Sequence, residues 1–216
     1  MGELALEAKK ISKKFPGVKA LEDVDFILRK GEVRSLIGKN GAGKSTLIKI
    51  ITRIYNQDNG NLLIDGREIH SHSVKRIHDL GIEAIYQEQD FVPYFTVGQM
   101  VMYNYEPKRF GNMFINYPLM HKTAHQVLKD KLSLELDPYT QMKDLNVSER
   151  QLVQLANVLM KNPKVMIFDE PTAPLAESEI ERLFDIIRGL KKQGTAIIYI
   201  SHRLEEIFSI ADSVTI

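Results

Sequence analysis

Gly38, Gly41, Gly43, Lys44 and Ser45 spell GxxGxGKS, which contains the phosphate-loop (Walker A) pattern GxxxxGK[ST]. Across Gly38, Lys39, Asn40, Gly41, Ala42 and Gly43 the glycines let successive backbone amides turn inward around a triphosphate. Lys44 supplies charge near the β and γ oxygens, Ser45 offers a hydroxyl to Mg²⁺, and Thr46 continues into the helix. Further along, Asp169 and Glu170 follow the apolar run VMIF. A carboxylate at the carboxyl end of a sheet strand lies beside a phosphate loop, so Asp169 is placed to hold the Mg²⁺ that Ser45 also touches, and Glu170 to orient water for in-line attack. Gln87 and His202 also stand at strand ends, after EAIY and AIIYIS, and take their meaning only from the company they keep. In LNVSERQLVQLANVL, Ser148 precedes Gln151 by three positions and Leu152, Leu155, Ala156 and Leu159 follow at helical spacing, which predicts a helix capped by Ser148.

These residues need strands and helices in a definite order. Short strands are expected at Leu4 to Ile11, Val24 to Leu28 and Val33 to Ile37, the last running into the glycines. Leu47, Ile48, Ile51 and Ile54 then predict a helix, residues 58–69 a hairpin turning at Asp65 and Gly66, and GIEAIYQEQ a strand. From about 97 to 137 strand signals fade, and Met120, Ala124, Val127, Leu128 and Leu132 share a helical face. KVMIFDE and TAIIYISH are unbroken apolar runs, as in a parallel sheet covered on both faces, and between them Ile180, Leu183, Phe184, Ile187 and Leu190 form one helical stripe. Alternating strands and helices predict an α/β domain with a mostly parallel sheet, an N-terminal antiparallel β subdomain and an inserted helical lobe. The expected division is a core of 1–87 and 148–216 around a lobe of about 88–147, without internal repeats. The apolar, β-branched ending IADSVTI reads as a strand cut in its middle, so that 1–216 is expected to be a truncated domain.

Composition narrows the partners. With 29 basic and 28 acidic residues the formal charge is +1, which gives no field to gather nucleic acid or anionic lipid. Lys9, Lys10, Lys13 and Lys14 are the one basic cluster and read as a solvated strand edge. There is no cysteine, which excludes disulfides and thiolate metal sites and suits a reducing compartment. No apolar run nears the length of about 20 residues of a membrane-spanning helix. His70, His72 and His78 have no ligand pattern around them and read as a polar loop.

Walker A, a strand-end Gln, the LNVSERQ helix start, a hydrophobic strand ending in Asp and Glu, and a strand-end His occur here in that order. The whole chain thereby resembles the nucleotide-binding domain of ABC transporters, whose signature motif lies at that helix start. FPGVKAL, YQE and YISHRLEEIF resemble, within the family, the ATPase of bacterial monosaccharide importers of the ribose, galactose and xylose group. The resemblance implies ATP and Mg²⁺ as cofactors, with Phe15 stacking on adenine, Gln87 near Mg²⁺ and the transmembrane interface, Glu170 as catalytic base and His202 contacting the γ-phosphate. It implies permease subunits as partners at the cytoplasmic face of the membrane, a solute-binding protein outside, and a second ABC domain, either another half of the same full-length chain or a second copy. The lobe would receive the permease, and Met100, Met102, Met113 and Met120 would suit an adaptable contact, although methionine at helical spacing is more often simply core. A soluble ABC ATPase acting on nucleic acid or ribosomes, or an importer of a nucleoside or other small solute, is the alternative.

In this family each site pairs one domain's Walker A with the other's signature. The parts kept for the chain's own nucleotide are intact, whereas the signature Ser-Gly-Gly-Gln reads Asn146, Val147, Ser148, Glu149 and the D-loop Ser-Ala-Leu-Asp reads Ala173, Pro174, Leu175, Ala176. A carboxylate at Glu149 sets negative charge toward a γ-phosphate, and Val147 narrows backbone freedom. The pattern fits the N-terminal half of a tandem importer ATPase, with Ser148 mainly a helix cap.

Overall fold

The computed structural model describes residues 2–39, 41–69, 73–86, 91–109 and 113–216; Asn40, His70, His72 and Gln87 lie outside the described residues. Two compact units emerge, one of 1–87, 163–173 and 187–216, the other of 88–162 and 174–186.

In the first unit, β1 (Leu4–Phe15) buries Ala5, Leu6, Ala8 and Ile11, and pairs antiparallel with β2 (Val18–Arg29) across a turn at Pro16 and Gly17. On its other side β1 pairs with β4 (Asn59–Ile64), which turns into β5 (Arg67–Glu68) through Asp65 and Gly66, both left-handed. The order β2-β1-β4-β5 makes β1 an inner strand, so the lysine cluster is not an edge. Its lysines reach outward to acids instead, Lys13 to Asp58 and Lys9 to Glu7.

The second sheet has the order β11-β3-β10-β9-β6 and every pair is parallel: β3 (Val33–Leu36), β6 (Ile82–Ile85), β9 (Val165–Asp169), β10 (Ala196–Ile200) and β11 (Ser213–Thr215). The unbroken apolar runs of β9 and β10 are buried because the sheet is covered on both faces. Ile48, Ile50 and Ile51 of α1 (Lys44–Ile51) share one core with Leu6, Ile11 and Leu28 from the antiparallel sheet and with Ile82, Ile167 and Ile198 from the parallel one. Burial of such side chains contributes about 1.5–3 kcal/mol each. The helix stops short of the expected Ile54, which is exposed, because Arg53 turns left-handed and its guanidinium donates to Gln57 Oε1 and the Ile69 carbonyl. The short α2 (Val74–Asp79) precedes β6.

The second unit is helical, with α3 (Val97–Val101), α4 (Tyr117–Leu132) and α5 (Val147–Leu159), plus a two-residue ladder of β7 (Lys108–Arg109) and β8 (Phe114–Ile115) where only helix was expected. It runs past the expected boundary at 147, because α5 packs on α3 and α4 and Asn157 Nδ2 donates to the carbonyls of Val101 and Tyr103 at 3.0 Å. Met102 and Met120 are core here, the commoner place for a methionine at helical spacing, whereas Met113 is 75% exposed. The last helices are α6 (Glu177–Lys192) and α7 (Leu204–Ile210). Among the described residues no helix is long and apolar enough to cross a membrane.

Candidate functional site

Register decides which strand ends meet. Ile200 of β10 pairs with Leu36 of β3 on one side and with Asp169 of β9 on the other, so three strands finish level and the segments that follow them emerge side by side. After β3 comes the glycine loop, at the end of β9 Asp169 followed by Glu170, and after β10 Ser201 and His202. Sequence candidates more than 150 residues apart are thus brought to one end of one sheet, the place where open α/β sheets bind ligands.

The loop is shaped for an anion. Gly41 and Gly43 have φ of 84° and 95°. A Cβ on Gly43 would lie 2.7 Å from both the Ala20 carbonyl oxygen and Leu21 Cδ2, so only glycine fits. Gly43 is also the N-cap of α1 and brings no side chain to its first amides, and no acid stands in the first turn. Helix-start amides without a side-chain partner, with the dipole's positive end behind them, favour a phosphate. Lys44 Nζ donates to the carbonyls of Gly38 at 2.6 Å and Lys39 at 3.2 Å, which holds the ammonium over the loop. Ser45 and Thr46 occupy the first turn, and Ala42 donates its amide to the Lys39 carbonyl at 3.1 Å.

Across from the loop, burial first and the charge of Glu170 second push the Asp169 carboxyl above its ordinary range, with Lys44 and Lys49 opposing. A divalent cation would supply the positive charge that this desolvated acid calls for, so Asp169 and the Ser45 hydroxyl fit Mg²⁺ by charge and donor type. Glu170 has φ of 49°, a left-handed backbone uncommon for a non-glycine residue, and its amide donates to the Ile200 carbonyl at 3.0 Å. His202 Nδ1 lies 3.4 Å from Glu170 Oε2, and its side chain is 72% exposed. The two strand ends therefore present a carboxylate and an imidazole as a pair. Phe15 closes β1, its ring edge-on to Tyr55 at 5.4 Å with Lys13 Nζ 5.6 Å from its centroid.

Asn146, Val147, Ser148 and Glu149, the segment expected to be an eroded signature, belong to the other unit, at the start of α5. Its N-cap is Asn146, not Ser148: Asn146 Oδ1 accepts from the Glu149 amide at 2.8 Å and Glu149 Oε2 accepts from the Asn146 amide at 3.0 Å. The expected pairing of Ser148 with Gln151 is displaced two residues toward the N-terminus, because Asn caps as well as Ser and Glu149 completes the reciprocal box. Ser148 is buried, its hydroxyl 2.6 Å from Glu179 Oε1 and 2.7 Å from Asn146 Oδ1. The Ser148 hydroxyl, followed by the Ala176 amide, holds Glu179 below the usual carboxylate range. Glu179 went unnoticed in the sequence, although its place three residues after Ala176 marks an N-terminal helix acid. Val147 is 59% exposed.

The family model described as "ABC transporter" matches residues 21–173. A ribose import ATP-binding protein of Rubrobacter xylanophilus is 44% identical over 211 residues, covering 98% of this chain and 42% of that protein. A xylose import ATP-binding protein of Thermoanaerobacter pseudethanolicus is 42% identical, over 100% of this chain and 43% of its own. A galactose/methyl galactoside import ATP-binding protein of Photobacterium profundum is 39% identical, over 100% of this chain and 43% of its own. The chain thus spans less than half the length of these relatives. Among solved structures, an ATP-binding cassette of an ABC transporter in its ADP conformation superposes with a TM-score of 0.81 at 27% identity, covering 98% of this chain and 87% of that one. A nucleotide-free cassette from an ABC transporter gives 0.82 at 26%, with the same coverage.

Proposed function

The chain belongs to the ABC transporter family, and from that premise we propose that it binds ATP and hydrolyses it to drive uptake of a monosaccharide through a separate membrane permease. One observation carries the hydrolytic part: Glu170 and His202, 3.4 Å apart, emerge from strands level with the one that feeds the open start of α1. In this reading the loop amides from Gly38 to Thr46 and Lys44 bind the phosphates, Phe15 meets the base, Glu170 orients and deprotonates the attacking water, and His202 donates to the terminal phosphate. Ser45 and Asp169 would hold Mg²⁺, to which the family resemblance adds Gln87, and the ion would supply charge neutralisation at the phosphate oxygens. Asn40 and Gln87 enter by their place in the sequence motifs alone.

Sugar import rests on the relatives named for import of ribose, xylose and galactose, whereas the permease, the external solute-binding protein and a peripheral place on the cytoplasmic face of the membrane rest on the family resemblance read in the sequence motifs. The partner domain follows from the contrast between an intact loop and an eroded signature. A chain of this kind acts as the N-terminal half of a tandem ATPase, working with the signature of another half.

Nucleotide titration and steady-state ATPase of this chain with Mg²⁺, over a wide range of protein concentration, test the reading together. The expected result is ATP binding with turnover that stays trivial at every concentration. Turnover rising with the square of concentration and abolished by Glu170→Gln would keep the ATPase and overturn the tandem-half arrangement. No binding of ATP or ADP would overturn the nucleotide site itself.

A further inference from the structure

Glu206 is 4% exposed, an acid buried in the first turn of α7. Its Oε1 accepts from Thr172 Oγ1 at 2.8 Å and lies 2.9 Å from Arg203 Nη1. Its Oε2 accepts from Tyr199 Oη and from Ser201 Oγ, each at 2.8 Å. Burying a carboxylate is costly unless its lone pairs are taken up, and here three hydroxyls and a guanidinium take them up. Burial first, and the bond to Glu206 second, push the Tyr199 phenol upward, which keeps it a donor.

The partners of Glu206 flank the proposed chemistry on both strands. On the β10 side the Arg203 amide donates to Ser201 Oγ at 3.0 Å, so the residues on either side of His202 are both tied to Glu206. On the β9 side Thr172 stands two residues after Glu170, whose left-handed backbone and amide bond to Ile200 leave it little freedom. We infer that Glu206 is a positioning residue, a buried clamp that holds the segment carrying Glu170 and the segment carrying His202 in the relative placement that puts both against one terminal phosphate. The inference rests on the nucleotide reading given above. A sequence signal for it exists: Glu206 lies four residues before Ile210 and next to Ile207, on the buried stripe of its helix.

Glu206→Gln keeps the shape and one acceptor while removing the charge and adding a donor among donors. Two readouts are taken on the chain, checked for folding by circular dichroism. In the nucleotide-free chain, amide exchange at His202 and Arg203 is expected to accelerate at least about tenfold, with exchange in β3 and β9 unchanged. With Mg²⁺, ADP affinity is expected to stay within about twofold while ATP affinity falls at least about fivefold, since only ATP carries the terminal phosphate. Thr172→Val, which cuts only the Glu170 side, should weaken ATP selectively and leave Arg203 exchange unchanged. Unchanged exchange at Arg203 in Glu206→Gln, or equal losses of ATP and ADP in either variant, would overturn the clamp. Should Glu206→Gln fail to fold, Ser201→Ala is judged by both readouts and Thr172→Val by the nucleotide readout alone. If the unmodified chain binds neither nucleotide, the nucleotide reading falls, and the exchange result alone decides whether Glu206 holds the two segments.

Discussion

Two helix starts in this molecule solve the same problem in opposite ways. Every helix begins with amides that have no partner inside it. At α5 the chain satisfies its own: Asn146 and Glu149 form a reciprocal box, and Ser148 is tied to Glu179. At α1 the cap is a glycine with no side chain to offer, followed by a lysine held by main-chain carbonyls. The first start is stable by itself and has its hydroxyl engaged. The second leaves its demand for an anion open, and the proposed nucleotide answers it. Motif order alone cannot tell a helix end that binds from one that merely holds, because the difference lies in where the side chains turn.

The contrast can be broken or sharpened by substitution. Gly43→Ala should have the largest effect, because its Cβ would press on the Ala20 carbonyl and Leu21 from a backbone of φ 95°. Nucleotide binding is expected to vanish and stability to fall by about 2–4 kcal/mol, read by urea unfolding and nucleotide titration. Lys44→Ala removes the loop's cation but no core contact, so nucleotide affinity should drop about 30- to 100-fold, or about 2–3 kcal/mol, with the urea midpoint nearly unchanged. Asn146→Ala is the mirror experiment. It should lower stability by about 1 kcal/mol through loss of the cap and leave nucleotide affinity where it was. A parallel loss of affinity there would mean that the α5 start is not self-contained.

The smallest effect concerns pH. Asp169 is pushed above its ordinary range by burial and then by Glu170, so the folded chain holds that proton more tightly than the unfolded chain does. Stability therefore falls as pH rises from the unfolded value through the folded one, and the deficit persists at neutral pH. Asp169→Asn removes it. Without nucleotide, thermal melts of the two chains should coincide at about pH 3, below the ordinary carboxylate range, and separate above it, the variant melting higher. Identical melts at neutral pH would show that this acid is not under strain from burial.

The phosphate loop and the strand ends were legible because their signals are local: a glycine spacing, an unbroken apolar run, an acid pair where it stops. The Asp65–Gly66 turn and the buried runs of β9 and β10 follow the same rule. What escaped reading depends on contacts between distant residues. Asn146 outcompetes Ser148 as a cap through the reciprocal bond of Glu149, and α5 joins the helical unit because Asn157 bonds to the α3 end. Glu206 was not singled out, since its role shows only where three hydroxyls from two segments converge on it. Arg53 ends α1 early by reaching a carbonyl 16 residues away.

The place of β3 in its sheet has a consequence for synthesis. Both of its neighbours, β10 and β11, come from beyond residue 195, so the strand that leads into the glycine loop has no hydrogen-bonding partner while the intervening chain is being made. At a synthesis rate of roughly 5–20 residues per second, that is a delay of roughly 8–30 s. β1 and β2 can pair soon after they emerge, since one tight turn joins them. On the ribosome the antiparallel sheet can therefore form early, and the strand that leads into the phosphate loop is held in its sheet only once β10 has been made.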